Sequence, residues 1–264
     1  MPQTEYENFD VTRSDGIIRV VFNSSAGRNA LHLEMANEFI SLATDVSEDP
    51  NARCVVFTHE GDFYGTGADL SPLDADERDA LTLRRLAGRL HEAIVQFHTA
   101  ETPIVGGIDG VAAGAGFSLA IMPDLVLVSD EARLNYAYPN IGMTGDGGST
   151  FWLPRLVGLR KAKEITLLDE PIGPEEAVDL GLANEIVSSE EFDHRLDELA
   201  HQLAAGPTHA MGVTKQLLTE SFNKSIEEQL AAETESIADA ARTEDYARGL
   251  SAFLGDDEPD FVGR

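Results

Sequence analysis

Two glycine-rich turns hold the residues best suited to chemistry. In Gly110-Val-Ala-Ala-Gly-Ala-Gly-Phe-Ser-Leu-Ala120, four small residues, Ala113 to Gly116, follow the apolar run Pro103–Ile108 and precede a Leu/Ala-rich segment of helical character. Small residues let a ligand approach the backbone closely, and the start of a helix aims free N–H groups at it. Such donors suit negative charge, either a phosphate or a developing thioester enolate. The second turn, Phe63-Tyr-Gly-Thr-Gly-Ala-Asp-Leu70, follows the apolar strand Cys54-Val-Val-Phe57. Gly114-Ala-Gly116 lacks the third glycine and the N-terminal strand of a dinucleotide-binding fingerprint.

Paired strand-to-helix turns with this spacing resemble the enoyl-CoA hydratase/isomerase (crotonase) family. Further segments match in order: Arg28-Asn-Ala-Leu31, Gly67-Ala-Asp-Leu70, Gly114-Ala-Gly116, the loop from Ile141 to Thr150, Leu153-Pro-Arg-Leu-Val-Gly158, Thr243-Glu-Asp-Tyr246 and Phe261-Val-Gly-Arg264. The resemblance runs from about Asn23 to Arg264. It implies an α/β fold, a crotonase-like spiral of ββα units with a C-terminal helical oligomerisation region. The expected division is a core at 1–205 with the CoA and acyl sites, and a trimerisation region at 206–264. By the resemblance, the peptide N–H groups of Ala68 and Ala115 form an oxyanion hole for an acyl-CoA thioester. Arg28, Ala30, Gly67, Asp69, Leu70, Gly114, Gly116 and Ser118 fall in the turns and positions that contact substrate. A basic residue such as Arg28 lies near the CoA nucleotide in the family. No cofactor is expected, coenzyme A being part of the substrate.

The catalytic acids are where the chain departs. Hydratases of the family carry two glutamates that handle a water. One position here is Ser118, and the stretch that would hold the other reads Asn135-Tyr-Ala-Tyr-Pro-Asn140. Without them, water addition lacks its proton donor and acceptor. One acid remains, Asp146 in Gly142-Met-Thr-Gly-Asp-Gly-Gly148. That loop is nearest in pattern to the ring-epoxide isomerase type of phenylacetyl-CoA breakdown. A lone carboxylate suits a proton shuttle that forms an enolate and returns the proton elsewhere. Alternatively, Asp146 caps the helix that starts near Gly148. Hydratase, hydrolase and non-catalytic acyl-CoA binder stand as the competing functions. Asp69 is expected to hold its loop. Tyr64, Tyr136, Tyr138 and Trp152 either line an acyl pocket or pack in the core. His59 is expected to be solvated, and His91 and His98 lack partners for a metal site.

The elements that must position these groups follow from periodicity. Residues 9–23 alternate around Gly16 as two paired strands. Residues 31–46 and 79–98 carry helical stripes, and 53–58 reads as a buried strand. A strand follows Pro103, with others at 125–128 and 183–187, and helices at 159–168 and 174–181. Beyond Gly206-Pro207 the pattern is helical from Thr208 to Leu254, with breaks near Ser221–Asn223 and Thr243. Those helices need a surface to cover their apolar stripe, and the resemblance implies a neighbouring subunit in a trimer or hexamer.

Composition bounds the rest. The chain has 264 residues, 42% hydrophobic, enough for one substantial core. No apolar run is long enough for a membrane span, and the acidic, polar opening from Met1 is unlike a targeting peptide. A lone Cys54 excludes an intrachain disulfide. The formal charge of −28, from 47 acidic and 19 basic residues, repels nucleic acid and anionic membranes. Such a surface suits a salt-rich, halophilic cytoplasm, where screening removes self-repulsion, or belongs to an acidic protein of ordinary source. CoA is itself polyanionic, so local cations are needed. Candidates are Arg28 and the cluster Arg84, Arg85 and Arg89, while the acidic segment Gly255-Asp-Asp-Glu-Pro259 stands where the family often places basic residues.

Overall fold

The structure, a computed structural model, describes residues 5–264. The opening residues 1–4, on which part of the targeting-peptide argument rests, lie outside the described residues. Asp15 and Gly16, both at positive φ, turn strand β1 (Phe9–Ser14) back on β2 (Ile17–Phe22) as an antiparallel pair. From β2 the sheet continues in parallel through β3 (Cys54–His59), β5 (Ile104–Ile108), β7 (Leu125–Ser129) and β9 (Glu185–Val187). A second sheet, parallel in the order β4-β6-β8, is made of three-residue strands: β4 (Phe63–Gly65), β6 (Val111–Ala113) and β8 (Arg133–Asn135). The two sheets alternate along the chain, so each turn of the spiral passes from a long strand to a short one.

β3 is apolar nearly throughout because both of its faces are covered. Helices α1 (Leu33–Ser47) and α2 (Asp79–Thr99) pack together over one face, burying Phe39 and Phe97 against Phe22 and Phe57 with ring centroids 4.9–6.2 Å apart. The other face meets α7 (Phe192–Ala204), whose Leu196 and Leu199 close a second core with Val56, Val105 and Leu127. Cys54 is buried in β3, and burial pushes its thiol pKa up to about 12, so it is an inert core residue.

Between β6 and β7 lies α3 (Ala115–Ala120), and between β8 and β9 lie α4 (Ser149–Leu156), α5 (Gly158–Leu168) and α6 (Pro174–Asp179). Past Gly206 come α8 (Thr208–Glu220), α9 (Ile226–Ala240) and α10 (Glu244–Gly255). Ser225 and Glu228 form a reciprocal capping box that starts α9. The helical region is fastened to the core by Lys215, which reaches Asp124 at 2.9 Å, and by His209, 2.8 Å from Glu101. The terminal segment folds back on α10: the Asp245 carboxylate, 4% exposed, accepts the N–H groups of Val262 (2.6 Å) and Gly263 (2.8 Å). Among the described residues, no helix is long and apolar enough to cross a membrane.

Candidate active site

The two glycine turns meet. β4 leads into the first and β6 into the second, and these strands pair, so the turns emerge side by side. Contact is closest at Gly65 and Gly116: a Cβ on Gly116 would lie 2.8 Å from Gly65 Cα, and one on Gly65 would lie 3.1 Å from Gly116 Cα. Gly67 and Gly114 adjoin them at φ +87° and +57°, a region that side chains disfavour. Leu31 brackets the first turn, donating to Gly67 O and accepting from Asp69 N, both at 2.8 Å. This bridge turns the Ala68 N–H away from Leu31. The Ala115 N–H opens α3, where no intrahelical acceptor exists. Both alanines line one cavity of about 420 Å³.

Asn29, at φ +50°, anchors the early turn by donating to Phe63 O at 2.7 Å and accepting from Ser24 N at 2.9 Å. The rest of the cavity wall is mainly apolar, with Leu31, Leu70, Leu83, Leu86, Ile141 and Met143 beside Tyr138. Asp146 is the one carboxylate on that wall among the described residues, and Arg84 the one cation.

The Tyr138 hydroxyl donates to Asp146 Oδ1 at 2.6 Å, a charge-assisted bond that fixes the carboxylate. Burial, then the adjacent Asp146 charge, drives the Tyr138 phenol pKa far above its usual range, so it remains a donor. Ser118, fully buried on α3, donates to the Asp146 carbonyl oxygen at 2.9 Å and lies 3.1 Å from the Tyr138 hydroxyl. His91 of α2 accepts the Gly147 N–H through Nε2 at 3.1 Å. The Asp146 loop is thus held from α2, from α3 and from Tyr138. The helix-cap alternative for Asp146 is not its carboxylate's role: Ser149 N and Oγ bond to its backbone carbonyl, and α4 has no side-chain cap.

Of the sequence-derived site residues, Gly67, Ala68, Leu70, Gly114, Ala115, Tyr138 and Asp146 line the cavity. Ala30, Asp69, Gly116 and Ser118 are not part of its lining. Asp69 accepts Ser71 N at 2.9 Å, which holds its carboxyl below the usual range and its loop in place. Arg28 is exposed, its guanidinium 5.5 Å from the Phe63 ring centre. The arginine cluster divides, since Arg84 lines the cavity while Arg89 pairs with Glu92 at 3.2 Å.

Three aromatic candidates belong to packing instead. Tyr64 is fully buried in the core, Tyr136 presses on Gly145, and Trp152 lies against Gly148. His59 is not solvated: its ring is half-buried and Nε2 accepts Asp109 N–H at 3.0 Å. His91 was missed as a loop anchor. Its place on a helical stripe was legible, but nothing in the sequence pairs it with Gly147. No cluster of three or more His, Cys, Asp or Glu suited to a metal occurs among the described residues.

Alternating long and short strands, with two abutting glycine turns over an apolar cavity, give the chain a crotonase fold. The chain belongs to the enoyl-CoA hydratase/isomerase family, whose sequence profile matches residues 12–264. It is 31% identical to the 2,3-dehydroadipyl-CoA hydratase of Escherichia coli over 258 residues, covering 96% of this chain and 98% of that protein. It is 29% identical to the 1,2-epoxyphenylacetyl-CoA isomerase of Escherichia coli over 251 residues, covering 94% and 96%. The crystal structure of an enoyl-CoA hydratase from Polaromonas sp. JS666 superposes with a TM-score of 0.90 at 29% identity, covering 96% of this chain and 99% of that one.

Proposed function

We propose that this chain is an enoyl-CoA isomerase in which Asp146 alone shuttles the proton. The observation that carries the reading is the placement of Asp146: among the described residues it is the single carboxylate on the wall of the cavity that also holds Ala68 and Ala115, and Tyr138 pins it at 2.6 Å. Asp146 takes a proton from a carbon acidified by the thioester. The electron pair moves onto the carbonyl oxygen, which the two N–H groups receive. The same carboxyl then returns the proton to another carbon of the conjugated system, the double bond moves, and the aspartate is regenerated. The reaction needs no cofactor beyond the substrate's own coenzyme A.

Hydration is the weaker reading because it needs a second group to handle water. The Ser118 hydroxyl is fully buried and already engaged with the Asp146 carbonyl and Tyr138. Self-association into a trimer or hexamer is part of the proposal, supported by exposed apolar side chains on the C-terminal helices, among them Ile226 (65%), Ile237 (73%) and Phe253 (84%). A charge of −28 supports a salt-rich cytoplasmic setting.

The test is a panel of linear and cyclic enoyl-CoAs in molar salt, followed by product mass and double-bond position. Unchanged mass with a moved double bond is expected, and Asp146→Asn should lower turnover by about 10²–10⁴-fold with binding retained. A gain of one water would make the chain a hydratase, and release of free CoA a hydrolase. Turnover indifferent to Asp146→Asn would sink the shuttle.

A further inference from the structure

β3 and β5 lie side by side in the large sheet, and each hands the chain to one oxyanion turn. β3 ends at His59, ahead of β4 and the turn carrying Ala68. β5 ends at Ile108, and Asp109 follows it ahead of β6 and the turn carrying Ala115. One side chain spans the gap: His59 Nε2 accepts the Asp109 N–H at 3.0 Å. Val111 N donates to Asp62 O at 2.9 Å in the same junction. The fit is tight. Cε1 of His59 would lie 3.2 Å from a Cβ on Gly110, and the ring stands edge-on to Tyr64 with centroids 5.6 Å apart.

We propose that His59 is a positioning residue of the oxyanion hole: as a neutral imidazole protonated at Nδ1, it ties the two strands that deliver the Ala68 and Ala115 N–H donors. The proposal rests on the reading that those donors receive an enolate oxygen. The tautomer follows from the geometry. An acceptor Nε2 carries no proton, so the ring proton of the neutral form is on Nδ1. Nδ1 is shut off from solvent without a well-aligned partner, with the Glu60 and Gly61 carbonyls nearby. A second proton would have to enter at Nε2, donor against donor with the Asp109 N–H.

The charged groups around the ring are Asp109 from its own junction and Asp193 from α7, both of which favour the imidazolium. Burial outweighs them and lowers the His59 pKa. The sign follows. The stabilisation is complete above the unfolded value of about 6.5 and is lost as pH falls through the lower folded value.

The test uses the intact protein with ¹⁵N-labelled histidine, assigned by comparison with His59→Gln. Expected is a ring protonated at Nδ1 and unprotonated at Nε2 at neutral pH. His59→Leu should speed Asp109 amide exchange and lower kcat, each by about tenfold, with KM little changed, as for one lost hydrogen bond. His59→Gln keeps an acceptor that does not titrate. It should restore most of kcat and remove the His59 contribution to the acid-side fall in rate. A wild-type ring protonated at Nε2, or wild-type exchange and kcat in His59→Leu, would overturn the proposal. If His59→Leu does not fold, the tautomer and the pH profile of His59→Gln decide. Tautomer and exchange need no substrate, so a failed isomerase assay leaves them able to overturn the tie by themselves.

Discussion

The contact between Gly65 and Gly116 makes a sharp prediction. A methyl group added at Gly116 would stand 2.8 Å from Gly65 Cα and closer still to the Gly65 carbonyl, whereas ordinary contact begins at 3.4 Å. Both sides of the clash are backbone, so no side chain can swing away. The carbonyl sets the larger shift, so the turns must part by about 1 Å, the scale at which a misplacement costs about 10²-fold in rate. The two N–H donors sit on those turns, so the loss should fall on kcat. Gly116→Ala is expected to lower kcat by roughly 30–100-fold, within the limit of about 10²–10³ for losing an oxyanion donor outright. Overpacking should also cost about 1–3 kcal/mol of stability. The assay is steady-state isomerisation alongside thermal unfolding. Gly88→Ala serves as control, because a Cβ there meets open space on an exposed helix face. A Gly116→Ala enzyme with wild-type kcat would refute the claim that the abutting turns carry the oxyanion hole.

Tyr138→Phe removes the 2.6 Å bond to Asp146 while keeping the ring on the cavity wall, so kcat should fall by about tenfold or more and KM by little, from a charge-assisted bond worth roughly 1.5–3 kcal/mol. Because the raised Tyr138 pKa keeps the phenol protonated, the wild-type rate profile should show no alkaline loss attributable to Tyr138 up to about pH 10. Rising salt should lower KM for an enoyl-CoA, since the screening length falls from about 10 Å at 0.1 M to about 3 Å at 1 M, which relieves repulsion between a −28 chain and a polyanion. A pantetheine thioester lacking the nucleotide should show a much flatter dependence. A KM that climbs with salt would instead assign control of binding to local attraction at Arg28 and Arg84.

Long-period features were legible in the sequence. The strand expected at 53–58 is Cys54–His59, the helix expected at 79–98 is Asp79–Thr99, and the breaks near Ser221–Asn223 and Thr243 separate α8, α9 and α10. Their signals are local, set by apolar spacing and caps. The second sheet was not legible, because three-residue strands carry no measurable alternation and exist only by pairing with each other. Helix α7 was also missed, although Phe192, Leu196 and Leu199 mark its buried face. The tyrosines show the same limit at the site. Tyr64 and Tyr138 have equal aromatic character, but Tyr64 lies beneath the first turn while Tyr138 leaves β8 across a left-handed Ala137 and reaches Asp146. Only the pairing of distant strands decides which one faces the cavity.

The exchange of acids at the site is physically coupled, and this limits how activity could be converted. Position 118 is where, by the family resemblance, hydratases carry one of their glutamates. Here the Ser118 hydroxyl donates to the Asp146 carbonyl at 2.9 Å, and the adjoining loop is so close that a Cβ on Gly147 would lie 2.8 Å from Ser118 Cβ. A glutamate would need space that the Asp146 loop occupies. It would also set a carboxylate oxygen against the Asp146 carbonyl, to which Ser118 now donates, and bring a second buried negative charge to compete with Asp146 for the Tyr138 hydroxyl. The carboxylate at 118 and the observed seat of Asp146 are therefore alternatives. Ser118→Glu is expected to lose isomerisation and stability together without gaining water addition, read by product mass and thermal unfolding. Ser118→Ala, which removes the hydroxyl's contacts with the Asp146 carbonyl and Tyr138 but adds no bulk, should cost about 1–3 kcal/mol of stability. A Ser118→Glu enzyme that hydrates while still isomerising would show that the loop does not depend on serine for its seat.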